Sequence, residues 1–181
     1  MLDRPSDTTY RYNFTCEKRL NIFYFVRPMD NFLSKLRNFN TIGFIALMVG
    51  LKLVNAIFFG ILAKQLTGKD IEDGAFHFSS KWEEFFVACV VAPLLETVLF
   101  QQLLFKLLHR FKLKHIWIVV IGGLMFGFAH SYNVMYVIDA FFGGMILMSC
   151  YILRIRKHPF LTTYIVHALF NFIALMLNSI G

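Results

Sequence analysis

The sequence predicts an all-α protein that crosses a membrane several times. Hydrophobic residues make up 57% of the 181 residues and charged residues only 16%, well below the roughly 25% that is typical of soluble domains. The apolar residues are gathered in long runs, close to the roughly 20 residues that an α-helix needs to cross a bilayer. These observations predict a polytopic membrane protein with about five transmembrane helices and an amphipathic N-terminal interfacial helix.

Residues 1 to about 20 are polar and mixed in charge, and we expect residues 1–40 to form a cytosolic tail that ends in this interfacial helix. In the helix, Phe32, Leu33, Leu36 and Phe39 share one face. Such a helix either lies in the membrane interface or packs against the protein as an ordinary juxtamembrane helix. No apolar run adjoins the amino terminus, so a cleaved signal peptide is not expected.

Residues 41–181 contain five apolar segments and are predicted to form one transmembrane domain. At 1.5 Å per residue, each segment approaches the thickness of the hydrocarbon core, about 30 Å, although the third is short. The predicted spans are 42–63, 85–106, 116–131, 134–154 and 159–179.

The basic residues between the spans alternate along the chain. Seven Lys and Arg residues precede the first span and three separate the first two spans. Four lie in 106–115, none in 131–133 and three in 154–158. The positive-inside rule then places the amino terminus, 106–115 and 154–158 in the cytoplasm and the carboxyl terminus outside. We therefore expect a multi-pass protein of the cell membrane.

The net charge of +7 does not indicate a nucleic-acid-binding protein. The basic residues lie almost entirely outside the apolar segments, as membrane topology requires, and form no basic and aromatic surface of a recognisable module. The three cysteines, Cys16, Cys89 and Cys150, are far apart and predict neither a disulfide framework nor a zinc motif. Membrane lipid is the expected surrounding partner, and the oligomeric state is left open.

Polar residues inside the second span are the first candidates for a functional site. Glu96 and Thr97 stand in a segment that is otherwise apolar, and Gln101 follows Thr97 on the same helical face. A carboxylate at the centre of a membrane helix costs on the order of 2.5–3.5 kcal/mol, so it normally faces a protein interior or a wet cavity. Glu96 is therefore expected to meet other polar groups there.

Two further spans carry polar groups that could meet Glu96. His130 ends the third span, and His167 and Asn171 lie one turn apart on the fifth. A glutamate can act as general base for a water that a histidine positions, while further donors stabilise an oxyanion. Each residue alone has a structural explanation, such as a histidine bonded to a carbonyl or an asparagine joining helices. Their combination favours a hydrolytic site.

Three motifs give the sequence a family resemblance. The segment Ala92-Pro93-Leu94-Leu95-Glu96-Thr97-Val98-Leu99-Phe100-Gln101 is similar to an Ala-Pro-x-x-Glu-Glu-x-x-x-Arg motif. Phe126-Gly127-Phe128-Ala129-His130 matches Phe-x-x-x-His, and His167-Ala168-Leu169-Phe170-Asn171 matches a histidine followed four residues on by Asn or Asp. In order and spacing, residues 85–175 resemble the CPBP family of CAAX proteases and bacteriocin-processing proteins, also called the Abi family.

The resemblance implies a glutamate-dependent intramembrane endopeptidase that needs no cofactor. Glu96 and His130 would activate water, and His167 and Asn171 would stabilise the oxyanion. Members of the family act on prenylated CAAX proteins in eukaryotes and on peptides or membrane proteins in bacteria. A peptide or membrane-protein substrate is therefore the expected partner.

The sequence departs from the family motif at two positions. Thr97 replaces the second glutamate and Gln101 replaces the arginine. Losing one member of a buried ion pair would cost about 3–5 kcal/mol, whereas here both are neutral. We interpret this as coordinated replacement of a supporting pair, and we expect Thr97 and Gln101 to keep a hydrogen bond.

Other functions fit parts of the pattern. Glu96, His130 and His167 could supply a two-histidine, one-carboxylate metal site, but no His-Glu-x-x-His pair is present and a metal-free mechanism is favoured. A catalytically idle scaffold or an immunity protein against a peptide toxin would explain the two departures from the motif. A proton-coupled transporter is least favoured because no repeated halves are found.

Two more charged residues lie within the predicted spans. Lys52, near Asn55, either turns inward toward a carboxylate or extends to the interface. Asp139 either accepts a hydrogen bond from His130 or lies near the wet end of its helix.

Overall fold

The computed structural model describes residues 33–71 and 78–179. These residues are 84% helical and contain no strand. Four helices are long and apolar enough to cross a membrane, and a fifth is apolar but shorter, so the predicted all-α polytopic fold is confirmed. The helices are α1 (Thr41–Thr67), α2 (Lys81–Arg110), α3 (His115–Ala129), α4 (Val134–Leu153) and α5 (Pro159–Asn178).

The chain divides into two compact units, Met1–Phe39 and Asn40–Gly181. The first unit is described only from residue 33, and its residues 33–38 are helical. The predicted cytosolic tail and the beginning of the predicted interfacial helix therefore lie outside the described residues. The second unit contains helices α1 to α5.

Side-chain and glycine caps fix several helix ends close to their predicted positions. The side chain of Asn40 accepts a hydrogen bond of 2.7 Å from the N–H of Gly43 at the start of α1. Helix α1 stops at Gly68, whose φ of 71° is the left-handed conformation that glycine adopts without strain. Asn133 caps α4 in the same way, by accepting from the N–H of Tyr136 at 2.9 Å. These caps satisfy terminal main-chain groups that the helices leave unpaired.

Helix α2 is irregular, which the sequence pattern did not predict. Its α-helical course is interrupted twice by π-helix, in which each turn holds more than four residues. The successive parts are α-helical Lys81–Phe86, π-helical Val87–Val91, α-helical Ala92–Glu96, π-helical Thr97–Leu103 and α-helical Leu104–Arg110. Such π segments are rare and occur frequently at functional sites. The predicted site residue Glu96 lies at the junction between two of these parts.

Glycines bring α3 and α4 into close contact. A Cβ atom on Gly123 would lie 2.7 Å from the main-chain oxygen of Phe141, and one on Gly144 would lie 2.6 Å from Cβ of Phe126. Small residues of this kind allow membrane helices to approach closely. The contact holds Phe126, and hence the end of α3, against α4.

The main buried core cluster joins α1, α3, α4 and α5, and a second cluster joins α2 to α3 and α4. Large apolar side chains nevertheless remain exposed on the outer faces, such as Val54 (67%) and Phe58 (59%) on α1, as expected where lipid replaces water as the solvent. The core cluster includes Phe44, Met48, Phe126, Leu147 and Val166.

One basic residue of the predicted cytoplasmic segment 154–158 is buried. Arg154 is fully inaccessible, and its guanidinium lies 3.9 Å from the centre of the Phe44 ring. It also donates a hydrogen bond of 3.2 Å to the main-chain oxygen of Asn40. Arg154 therefore joins the end of α4 to the start of α1, on the side of the domain opposite to the end of α3.

The close contact between α3 and α4 predicts that a larger residue at Gly123 lowers the stability of the protein. Gly123→Ala should destabilise the protein by about 1–3 kcal/mol, because the added methyl group meets a main-chain oxygen that cannot easily move. Thermal unfolding in detergent, followed by circular dichroism, measures the effect. Gly60→Ala is the matched control, since its Cβ would have no neighbour within 4 Å. Equal unfolding temperatures for the two variants would contradict the close packing.

Candidate active site

Glu96 faces a small cavity among the five helices. The cavity measures about 80 Å³, enough for more than one water molecule. A larger groove of about 490 Å³ lies between the start of α2 and the end of α5, but its lining lacks histidine. The polar side chains that line the small cavity are Lys52, Asn55, Glu96, His130, Tyr136, Asp139, His167 and Asn171.

The Glu96 carboxylate lies between two imidazoles. One oxygen is 3.6 Å from Nε2 of His130, and the other is 3.5 Å from Nε2 of His167. These separations are longer than a direct hydrogen bond between nitrogen and oxygen. The carboxylate is therefore flanked on both sides without a direct hydrogen bond to either imidazole.

His130 is held by the last turn of α3. Its Nδ1 lies 2.8 Å from the main-chain oxygen of Phe126, and its ring stacks on the Phe126 ring with centroids 4.5 Å apart. A carbonyl oxygen only accepts hydrogen bonds, so Nδ1 carries the hydrogen. When His130 is neutral, its Nε2 therefore presents a lone pair toward Glu96.

His167 is almost fully buried, with 3% of its surface exposed. Its Nδ1 has no hydrogen-bond partner within the described part of the chain. Since Nε2 is the nitrogen that faces the Glu96 carboxylate, the tautomer with hydrogen on Nε2 suits the site best. The Phe126 ring, 5.7 Å from the His167 ring, packs near both histidines.

Asn171 is tied to α2 by an irregularity of that helix. Its Nδ2 donates a hydrogen bond of 2.8 Å to the main-chain oxygen of Ala88. Within α2, the N–H of Ala92 bonds to the oxygen of Val87, and the next residue, Pro93, has no N–H to donate. The oxygen of Ala88 is thus left for Asn171, which uses one amide hydrogen and keeps the second for the cavity.

The structure brings the four predicted site residues together. Glu96 on α2, His130 at the end of α3, and His167 and Asn171 on α5 line the same cavity. Their chemical roles remain predictions. Ala88 and Pro93 were not singled out from the sequence, although a proline inside an apolar span is a signal that a carbonyl loses its donor.

The opposite wall of the cavity comes from α1 and α4. Lys52 turns inward, and is 5% exposed, so it does not extend to the interface. Asp139 accepts a hydrogen bond from Nδ2 of Asn55, while the Nδ1 of His130 is bonded to a main-chain oxygen. Asn55 follows Lys52 by three residues on one helical face, and this spacing could have identified Asn55 as a site residue.

The expected hydrogen bond between Thr97 and Gln101 is absent, and that expectation is wrong. Both side chains are buried, at 0% and 1% exposure. Neither has a hydrogen-bond partner among the residues that the structure describes. The π-helix Thr97–Leu103 changes the number of residues per turn, so the four-residue spacing assumed for an α-helix does not apply.

Glu96, His130 and His167 are side chains of the types that can bind a metal ion. Residues 33–71 and 78–179 contain no group of three or more His, Cys, Asp or Glu side chains arranged to hold a metal ion. The expectation that the site works without a cofactor remains a prediction.

Fold and cavity define a helical membrane protein whose spans bring a carboxylate, two imidazoles and a carboxamide to one internal site. The family model described as Rce1-like, type II CAAX prenyl endopeptidase, matches residues 78–173. This match covers more than half of the chain, so the protein belongs to the Rce1-like type II CAAX prenyl endopeptidase family, in agreement with the CPBP resemblance. No curated protein and no solved structure matched the chain.

The Asn171 contact predicts an energetic coupling to Pro93. Asn171→Ala should cost about 1–3 kcal/mol of stability, because the partly buried Ala88 oxygen loses its donor. In a Pro93→Ala background the new N–H can serve that oxygen, so the same substitution should cost less. Chemical unfolding of the two single variants and the double variant measures the coupling.

Asn55→Ala provides the control for this cycle. Its hydrogen bond joins α1 to α4 and does not involve α2, so its cost should be the same with Pro93 or Ala at position 93. If the effects of the Pro93 and Asn171 substitutions are additive, Pro93 is not the reason that the Ala88 oxygen is available to accept a hydrogen bond from Asn171.

Proposed function

We propose that this protein is an intramembrane endopeptidase in which Glu96 acts as general base on a water molecule. The observation that carries the proposal is the position of the Glu96 carboxylate, with an imidazole Nε2 at 3.6 Å from one oxygen and another at 3.5 Å from the second. Membership of a CAAX-type protease family supports hydrolysis of peptide bonds. The glutamate mechanism is our inference from the geometry.

The tautomer of His130 supports a specific position for the water. Its Nε2 lone pair and a Glu96 oxygen both accept hydrogen bonds, and neither can donate to the other. A water that lies to the side of these two atoms, within hydrogen-bond distance of both, can donate one hydrogen to each, which leaves an oxygen lone pair directed away from both. His167 makes no direct hydrogen bond to the other carboxylate oxygen, since its Nε2 lies 3.5 Å away, and its Nε2–H is therefore left for the substrate.

The reaction then proceeds in two balanced steps. The water oxygen bonds to the carbonyl carbon of the substrate while Glu96 takes a proton, and the carbonyl electron pair moves to oxygen. The second amide hydrogen of Asn171, with His167, stabilises that oxyanion. When the carbonyl re-forms, the C–N bond breaks and the amine leaves with the proton that Glu96 had accepted.

The substrates are proposed to be membrane-associated proteins or peptides, including CAAX-like chains. Glu96, His167 and Asn171 lie within helices of membrane-spanning length, and His130 follows the end of the shorter α3, so we expect the scissile bond to enter between the helices rather than from bulk water. The matched family is described as prenyl endopeptidases.

A second candidate is a catalytically idle scaffold or an immunity-type membrane protein. It is favoured by Thr97 and Gln101, which replace the charged pair of the family motif and lack hydrogen-bond partners in the described chain. It is opposed by the half-buried Glu96 and His130 and the buried His167, since a scaffold gains nothing from desolvating such groups.

Replacing the base tests the proposal. Glu96→Gln should abolish cleavage, a loss of at least about 100-fold, because the amide cannot accept the proton from water. Membranes that express the parent or the variant at equal levels can be compared by intact-mass and peptide mapping. A product present only with the parent identifies the substrate as well as the activity.

Two controls make this comparison decisive. Glu84→Gln alters a carboxylate in the first turn of α2 that does not line the cavity, and this variant should cleave like the parent. Chelators should leave the parent active if no metal takes part. Cleavage by Glu96→Gln at the parental rate would exclude Glu96 as the base, and identical peptide profiles would favour the scaffold.

We also propose that the amino terminus is cytoplasmic. The four basic residues of 106–115 and the three of 154–158 support this orientation. Lys112→Cys should therefore react with a membrane-impermeant maleimide only when the cytoplasmic side is accessible, and Lys69→Cys only from the other side. Both native positions are exposed, and Cys89 and Cys150 are buried. Reversed labelling would contradict the orientation.

A further inference from the structure

Lys52 is a buried cation that the proposed mechanism does not use. It lies near the middle of α1 and is only 5% exposed. A lysine at this depth normally extends its side chain toward the interface, because a charge near the bilayer centre costs on the order of 2.5–3.5 kcal/mol. Here the side chain stays inside, and its amino group lines the cavity that contains Glu96.

The surroundings of the amino group are aromatic. It lies 4.2 Å from the centre of the Phe170 ring and 5.9 Å from that of Phe126, which stabilises a cation without using its hydrogen-bond donors. Phe126 is also the ring that packs against His130 and His167. The amino group therefore belongs to the same aromatic framework as the two histidines.

No hydrogen bond or ion pair connects the Lys52 amino group to another side chain in the described parts of the chain. Asp139 and Glu96 act on it electrostatically, but Asp139 accepts its hydrogen bond from Asn55. An ammonium group has three N–H donors. In this cavity they remain for an oxygen atom that enters from outside the protein.

We propose that Lys52 is a further catalytic residue, whose amino group donates a hydrogen bond to the substrate carbonyl oxygen as that oxygen becomes an anion. This rests on the proposed peptidase function. The reacting carbonyl must lie beside the water held by Glu96 and His130, and Lys52 is the cation on the facing wall of that cavity. A preorganised positive charge in a poorly hydrated site stabilises developing negative charge far more than it would in water.

The alternative is that Lys52 only balances the charges of Asp139 and Glu96. A structural counter-ion would affect folding and the binding of substrate and transition state alike. An oxyanion donor acts mainly in the transition state and so lowers kcat more than it raises KM. The two roles therefore predict different kinetic results.

The test uses the peptide found by the mapping experiment and an analogue in which a phosphinate replaces the scissile amide. The phosphinate carries a negatively charged tetrahedral group like that of the intermediate. Lys52→Met, which keeps the side-chain length, should lower kcat about 100-fold or more and change KM less than threefold. Its affinity for the phosphinate should fall by a similar factor to kcat, and Lys52→Arg should restore part of both.

Lys64→Met is the matched control, because Lys64 lies on the same helix but is exposed and paired with Asp70. It should behave like the parent. If Lys52→Met does not fold, Lys52→Met combined with Asp139→Asn removes both charges and is measured in the same way.

The outcomes separate the two proposals. Equal losses of affinity for peptide and phosphinate, or normal turnover by Lys52→Met beside an inactive Glu96→Gln, would overturn the role of Lys52 alone. Normal cleavage by Glu96→Gln would overturn the peptidase mechanism on which that role depends.

Discussion

The structure depends on the confinement of one carboxylate within an apolar bundle. Glu96 lies in a helix long and apolar enough to cross a membrane, where an isolated charge is costly. Histidines from α3 and α5 flank it at 3.6 and 3.5 Å, and each is fixed by its own helix. The helices must therefore converge on this point, and the glycine contact between α3 and α4 permits that convergence.

Helix α2 carries Glu96 and also offers the main-chain oxygen of Ala88 to Asn171. It can do both because it is irregular. A regular α-helix would pair its own main-chain groups internally and offer nothing to a neighbour. The π-helix Val87–Val91 and Pro93 leave the oxygen of Ala88 to the side chain of Asn171. Since this bond crosses from α5 to α2, it places the carboxamide at a defined position near the carboxylate. The local cost of the irregular helix is thus compensated by a contact between helices.

Much of the fold could be predicted from the sequence, because in a membrane hydropathy and length constrain each helix separately. The predicted first span, 42–63, became Thr41–Thr67, and the fourth, 134–154, became Val134–Leu153. The convergence of Glu96, His130, His167 and Asn171 was expected because buried polar groups need partners. The π segments were not predicted, since they arise from packing between helices. For the same reason, the expected hydrogen bond between Thr97 and Gln101 does not form. The sequence also left open whether the Lys52 side chain points inward.

The distribution of charge in the domain offers an explanation for the neutral pair on α2. Thr97 and Gln101 occupy the positions of the ion pair in the family motif, and both are fully buried. The cavity nevertheless contains a cation and a second carboxylate, Lys52 and Asp139, on α1 and α4. A charged pair retained on α2 would have added two more desolvated groups beside Glu96, each needing its own partners. With neutral residues on α2, the cation that lines the cavity is Lys52, on the facing wall. The motif has therefore lost its charges at a supporting position, while the site as a whole has kept a positive charge.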